Sequence, residues 1–226
     1  MSGLVAIHQP NFFPWLGYFD KIRRADVFIF MDAVDYPRSG SGGMGSWVNR
    51  VKLNIQGEAR WVTCPLKRME MGNPISAAQI DDGQPWRAKL LKTLAANYGK
   101  AAHYREAVTF LEPLILAKEE RLSRFNEAVI RMIADRLKIR ARFVRQSELV
   151  FEGRATELLV SLVKAVGGDA YLAGGGAGGY QEDQMFSAAG LDLVHQNFEQ
   201  KAYGTGQFLP GLSVIDYLMH DGRPQD

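Results

Sequence analysis

Few residues in this chain combine reactive chemistry with a position where chemistry could be done. His8-Gln9 closes the short apolar run Leu4-Val5-Ala6-Ile7, so an imidazole that titrates near neutral pH and an amide stand where a buried strand would end. A second apolar run, Val27 to Met31, ends on the carboxylate of Asp32. In open α/β sheets ligands bind beyond the carboxyl ends of the strands, and both residues fall there. Asp32 can equally cap a turn. Arg50 and Lys52 are two residues apart in WVNRVKL; strand alternation puts them on one face, where they can meet a phosphate or carboxylate together. The alternative is an edge strand guarded by basic residues. Further along, Gly174, Gly176 and Gly179 satisfy G-x-G-x-x-G after a strand-like run. Glycines at such a turn let the backbone approach an anion. Their place late in the chain is not that of a dinucleotide fingerprint, which makes a nicotinamide cofactor a poor fit. His195 ends the run Leu191-Asp192-Leu193-Val194 and is a further candidate. Cys64 reads as a small buried residue, with no histidine beside it in sequence to activate a thiol.

The elements that must position these groups follow from periodicity. Residues 15–25 read as a helix with Leu16, Phe19 and Ile22 along one face. With the runs ending at His8 and Asp32 they make a βαβ unit, and so a parallel sheet. The glycine and serine rich stretch 36–46 predicts a mobile, lid-like loop. A hairpin follows, with strands at 47–53 and 59–63 around a Gln56-Gly57 turn. Residues 85–98, 104–118 and 119–138 read as three helices without chemical groups, a packing and dimerisation segment. A strand at 142–144, a helix at 156–166 with Thr156 as N-cap, a strand at 169–173, a helix at 183–189 and a strand at 191–195 complete an α/β pattern. The tail ends in a short helix capped by Ser213, with Asp216 at the capping-box position. The fold class predicted is α/β, a Rossmann-like parallel sheet with a β-hairpin excursion and a helical subdomain. The organisation predicted is one domain over 1–226: 1–83 as βαβ plus hairpin, 84–140 helical, and 141–226 as a second α/β half.

Composition bounds the function. A hydrophobic fraction of 46% and a charged fraction of 23% are ordinary for a soluble globular chain. No window approaches a membrane span, no leader pattern opens the chain, and one cysteine excludes an intrachain disulfide; a cytoplasmic location is expected. The net charge of +2 hides an asymmetry. Residues 1–150 carry 23 Lys+Arg against 15 Asp+Glu, and residues 151–226 carry 4 against 10. A basic half suits phosphate-bearing ligands. No nucleic-acid motif accompanies it, so nucleic acid is not an expected partner.

HQPNFFPWLGYFDKI, ADVFIFMDAVDY, WVNRVKL, GDAYLAGGGAGGY and FLPGLSVIDYLMHDG, in that order, resemble the WbqC-like family over almost the whole chain. The resemblance implies a place in surface-polysaccharide or O-antigen biosynthesis and modification of an amino sugar, for example by a glycyl or other acyl group. More distantly, the first strand, turn and Gly17-Tyr18 helix start resemble the H-x-G-H turn of nucleotidyltransferases and adenylate-forming ligases. Here those two histidine positions fall on Trp15 and Tyr18.

The resemblance implies an amide-forming transferase or ligase, with ATP as candidate cofactor and a nucleotide sugar or acyl donor as small-molecule substrate. Its candidate catalytic residues are His8 as general base, Asp32 to orient the amine, and Arg50 and Lys52 to hold phosphate. Gln9, Tyr18, Tyr36, Asn49, Gly174, Gly176, Tyr180 and His195 are the candidate substrate-binding residues, with no metal ligands. A carrier protein and a second copy of the chain are candidate partners. The alternative is a non-catalytic nucleotide-sugar-binding or scaffold protein of the same pathway.

Overall fold

The structure, a computed structural model, describes residues 3–37, 46–174, 180–204 and 208–222, without the side chains of residues 180–182. In chain order the elements are β1 (Leu4–His8), α1 (Leu16–Arg24), β2 (Val27–Phe30), β3 (Arg50–Ile55), β4 (Glu58–Thr63), α2 (Trp86–Tyr98), α3 (Tyr104–Leu116) and α4 (Leu122–Arg136). They continue with β5 (Arg142–Arg145), α5 (Thr156–Ala165), β6 (Ala170–Ala173), α6 (Tyr180–Ala188), β7 (Asp192–His195) and α7 (Val214–His220). They gather into two compact units. One comprises Met1–Gln9, Gly17–Ala33 and Ile139–Glu199; the other comprises Pro10–Leu16, Val34–Lys138 and Gln200–Asp226.

The first unit is built on a five-stranded sheet in the order β5-β2-β1-β6-β7, every pair parallel. Parallel strands buried on both faces need continuous apolar runs, and Val5-Ala6-Ile7 and Val27–Phe30 supply them, all buried. Because β2 and β5 lie to one side of β1 and β6 and β7 to the other, the winding reverses between β1 and β6. This is the doubly wound, Rossmann-like arrangement, whose ligand crevice opens at the reversal. Close pairing there depends on Gly168. A Cβ at that position would fall 2.3 Å from Val5 Cγ2 and 3.0 Å from the Gly3 carbonyl oxygen, so only glycine lets the chain enter β6 beside β1.

The second unit pairs the hairpin β3-β4 with helices α2, α3, α4 and α7. The expected turn is present, with φ of 55° at Gln56 and 83° at Gly57, the positive pair that a two-residue hairpin turn requires. The first hairpin strand starts at Arg50, later than the expected Trp47. Asn49 explains the difference: its Oδ1 accepts from the Ser46 N–H at 3.0 Å and its Nδ2 donates to the Cys64 carbonyl at 3.0 Å. This local side-chain bonding holds residues 46–49 in a turn. The aromatics of the Pro10–Leu16 loop pack rather than project. Phe12 and Phe13 are buried and meet each other edge to face, with Trp86 and Phe125 around them. Asn126 of α4, fully buried, donates to the carbonyls of Pro10 and Val48 at 2.8 and 2.7 Å. Ser213 donates from its hydroxyl to the Phe13 carbonyl at 2.7 Å and accepts from the Ile215 N–H, capping α7 as its sequence implies.

Two capping expectations fail. Ala155, with φ of 48°, precedes α5 where Thr156 was expected to cap, and no side chain caps that end. Asp216 accepts from the Tyr203 hydroxyl at 2.8 Å instead of completing a capping box. The expected lid falls mainly on residues 38–45, outside the described residues.

Candidate functional site

The carboxyl ends of the five parallel strands carry His8 on β1, Asp32 two residues beyond β2, Gly174 just beyond β6 and His195 on β7. His8 is half-buried. Its ring lies 4.8 Å from that of Tyr18 on α1, and its Nδ1 is 3.2 Å from the Gln9 carbonyl oxygen, which also accepts from the Tyr18 hydroxyl at 2.9 Å. A carbonyl can only accept, so the neutral imidazole carries its proton on Nδ1, and Nε2 is the nitrogen with the lone pair. The Gln9 carbonyl thus ties His8 to Tyr18. Burial pushes the His8 pKa down to about 3, the nearby Lys21 ammonium adds to the shift, and the Gln9 carbonyl opposes it.

Lys21 is the residue that sequence reasoning missed. It is 4% exposed. Its ammonium donates to the Ile7 carbonyl at 2.9 Å and sits 5.5 Å from the centroid of the Tyr171 ring on β6. A Cβ at Gly174 would come within 3.9 Å of Lys21 Nζ, so the glycine just beyond β6 puts no side chain of its own over that side of the ammonium. No carboxylate among the described residues pairs with it. Burial alone pulls its pKa down to about 8. The signal in the sequence was faint but real. Lys21 follows Gly17 and Tyr18 by one turn, on the flank of the Leu16-Phe19-Ile22 stripe, where it resembles any lysine near a helix C-terminus.

Asp32, 2% exposed, has both oxygens engaged. Oδ1 accepts from the Ser147 N–H at 3.0 Å and Oδ2 from the Ser147 hydroxyl at 2.8 Å. Together with the Gln146 side chain, which accepts from the Ala33 N–H at 3.3 Å, it ties the turn after β2 to the turn after β5. His195 is exposed at the edge strand. Gln196 beside it turns inward, donating to the Gly17 carbonyl and to Asp20 at 2.6 and 2.9 Å, while Arg24 donates to the Gln196 carbonyl. That frame fixes the start of α1, and with it Tyr18 and Lys21. Gly176 lies outside the described residues, as does the side chain of Tyr180.

Tyr36, Asn49, Arg50 and Lys52 belong to the second unit. The Tyr36 hydroxyl donates to Asn49 Oδ1 at 2.7 Å, and burial raises its pKa. Arg50 and Lys52 share a strand face as the alternation implied, and both lie over the Trp61 ring, at 4.2 and 5.2 Å from its centroid. Trp61 in turn meets Trp47 edge to face at 4.7 Å. Cys64 is fully buried and its thiol is pushed well above the ordinary range, which suits the packing role its sequence suggests. Among the described residues no cluster of His, Cys, Asp and Glu could hold a metal ion, and no helix is long and apolar enough to cross a membrane. A groove of about 780 Å³ lies against α5 and α6 and touches none of the residues above.

A parallel sheet with its winding reversed at β1 defines a doubly wound α/β protein, and an imidazole and a buried lysine lie where it reverses. The chain belongs to the WbqC-like protein family, whose model matches residues 9–225. It is 27% identical over 222 residues to an uncharacterized protein of Mycobacterium tuberculosis, Rv1507c, across 96% of this chain and 94% of that one. No solved structure matches.

Proposed function

We propose that the protein is a transferase or ligase that forms an amide on an amino-sugar intermediate of surface-polysaccharide biosynthesis. The observation that supports this reading is the carboxyl edge of β1. A neutral imidazole stands there one residue beyond the carbonyl held by a buried ammonium, at the position where a doubly wound sheet binds its ligand. The sugar nitrogen attacks the carbonyl carbon of an activated acyl donor. A C–N bond forms, the leaving group departs with the bonding pair, and the nitrogen's proton passes to Nε2 of His8. His8 acts after attack, when the nitrogen has become more acidic than a free ammonium, because an imidazole brought to about 3 is too weak a base to act earlier. An anionic donor beside Lys21 offsets one of the two effects that depress His8, so donor binding and basicity rise together. Tyr18 fixes the plane of the Gln9 carbonyl and so the tautomer. Asp32 holds the adjoining turn.

The test is mass-spectrometric. The full chain is incubated with a nucleotide-linked amino sugar and either glycine with ATP or a pre-activated acyl donor, and the sugar is assayed for a mass gain. The expected result is an acylated sugar with wild type and a loss of at least a hundredfold in rate with His8→Ala at unchanged melting temperature. Tight binding of the nucleotide sugar with no product from any donor would instead make the protein a binding component of the pathway.

A further inference from the structure

We infer that Lys21 is the floor of an oxyanion subsite at the carboxyl ends of β1 and β6, built to take a phosphoryl or carboxylate group of the ligand. This deepens the amide-forming reading and rests on the same edge of the sheet. The inference stands on geometry. An ammonium buried to 4% exposure is expensive to keep unless something answers its charge. Here the answer from the protein is incomplete. One N–H goes to the Ile7 carbonyl, the face of Tyr171 lies 5.5 Å away, and no carboxylate among the described residues completes the set.

A lysine kept only for packing would extend its stem along the apolar surface and lift its head into water. Lys21 does the reverse, with its head turned inward to β1 and β6. Tyr171 is itself held against Phe186, their rings stacked 5.0 Å apart and 9° from parallel, so the ring under the ammonium is fixed in place. His8 ends β1 and Gly174 follows β6, the two strands toward which the head turns, and both are half-buried. Neither brings a carboxylate that would repel an anion. An oxyanion arriving there gains a charge-assisted hydrogen bond in a poorly hydrated setting, where such bonds are at their strongest. The depressed lysine pKa agrees with a cation awaiting its partner.

The experiment uses the full chain and Lys21→Met, a substitution that keeps the length of the side chain and removes the charge. Calorimetric titration at pH 7 with inorganic pyrophosphate in one arm and glycine in the other tells a phosphoryl group from a carboxylate. The expected result is saturable binding in at least one arm by wild type and at least tenfold weaker binding by Lys21→Met, whose melting temperature equals or exceeds that of wild type. Binding of equal strength in the two proteins, or none in either arm, would overturn the subsite. Lys21→Gln serves as a second variant should the methionine form fail to fold. The subsite and the reaction fail separately. Lys21-dependent binding without acylated product leaves the subsite standing and removes the enzyme, whereas product formed at full rate by Lys21→Met removes the subsite alone.

Discussion

Two regions of this molecule hold cations close to aromatic rings, and they do so to opposite effect. In the hairpin, Arg50 and Lys52 lie over Trp61, which is 38% exposed, and both are half-buried. Such contacts contribute about 0.5–1 kcal/mol each at exposed sites. At the carboxyl edge of the sheet, Lys21 lies 5.5 Å from the centroid of the Tyr171 ring but is almost wholly removed from solvent. The hairpin cations strengthen the fold. The sheet-edge cation weakens it, and a group retained at a loss of stability at a strand end is a candidate for function.

The largest expected effect that sharpens this contrast is on acid stability. The His8 imidazole titrates at its ordinary 6.5 when unfolded and at about 3 when folded. The unfolded chain thus binds the extra proton first, and stability present above pH 6.5 is lost as pH falls toward 3. For a half-buried ring this amounts to about 3 kcal/mol. Denaturant titrations of wild type and His8→Gln between pH 3 and 7 should separate toward the acid end, with wild type losing the more stability. Parallel curves would remove the burial effect.

Next in size is the sign reversal between the two cations. Lys21→Met should stabilise the protein at pH 7 by about 1–2 kcal/mol, the relief of a charge brought down to about 8 less the lost hydrogen bond to Ile7. The advantage should shrink as pH rises from about 8 toward 10.5, because wild-type Lys21 then sheds its proton in the folded state before the unfolded one. Destabilisation of more than about 1 kcal/mol would place Lys21 among ordinary structural residues. The smallest effect is its counterpart: in the same denaturant titrations at pH 7, Lys52→Met should destabilise by about 0.5 kcal/mol.

Much of this arrangement was legible in the chain. The β1-α1-β2 unit follows from two apolar runs separated by a helical stripe, the hairpin turn from Gln56-Gly57, and α7 from Ser213. What was hidden shares one physical cause, side chains that bond to backbone or bury themselves against the pattern. Asn49 spends its amide on residues 46 and 64, so the strand starts late. Asp32 spends both oxygens on Ser147, a residue 115 positions away, and periodicity says nothing about such a partner. Lys21 is charged, and hydrophobic patterning counts it as solvent-facing, yet the sheet of the first unit encloses it. His8 was legible as the residue that ends the first strand, whereas its neutrality was not, because that depends on burial and on Lys21.

The central claim, that a buried and incompletely answered ammonium marks the ligand edge, is tested most directly by observing that ammonium. Lysine labelled with ¹³C at Cε gives one resonance per side chain, and Lys21→Met identifies the one of interest. The account predicts a titration midpoint of about 8 for Lys21 in the free protein, moving upward when saturating pyrophosphate or glycine supplies the missing negative charge. A midpoint near 10.5 that neither ligand moves would contradict it.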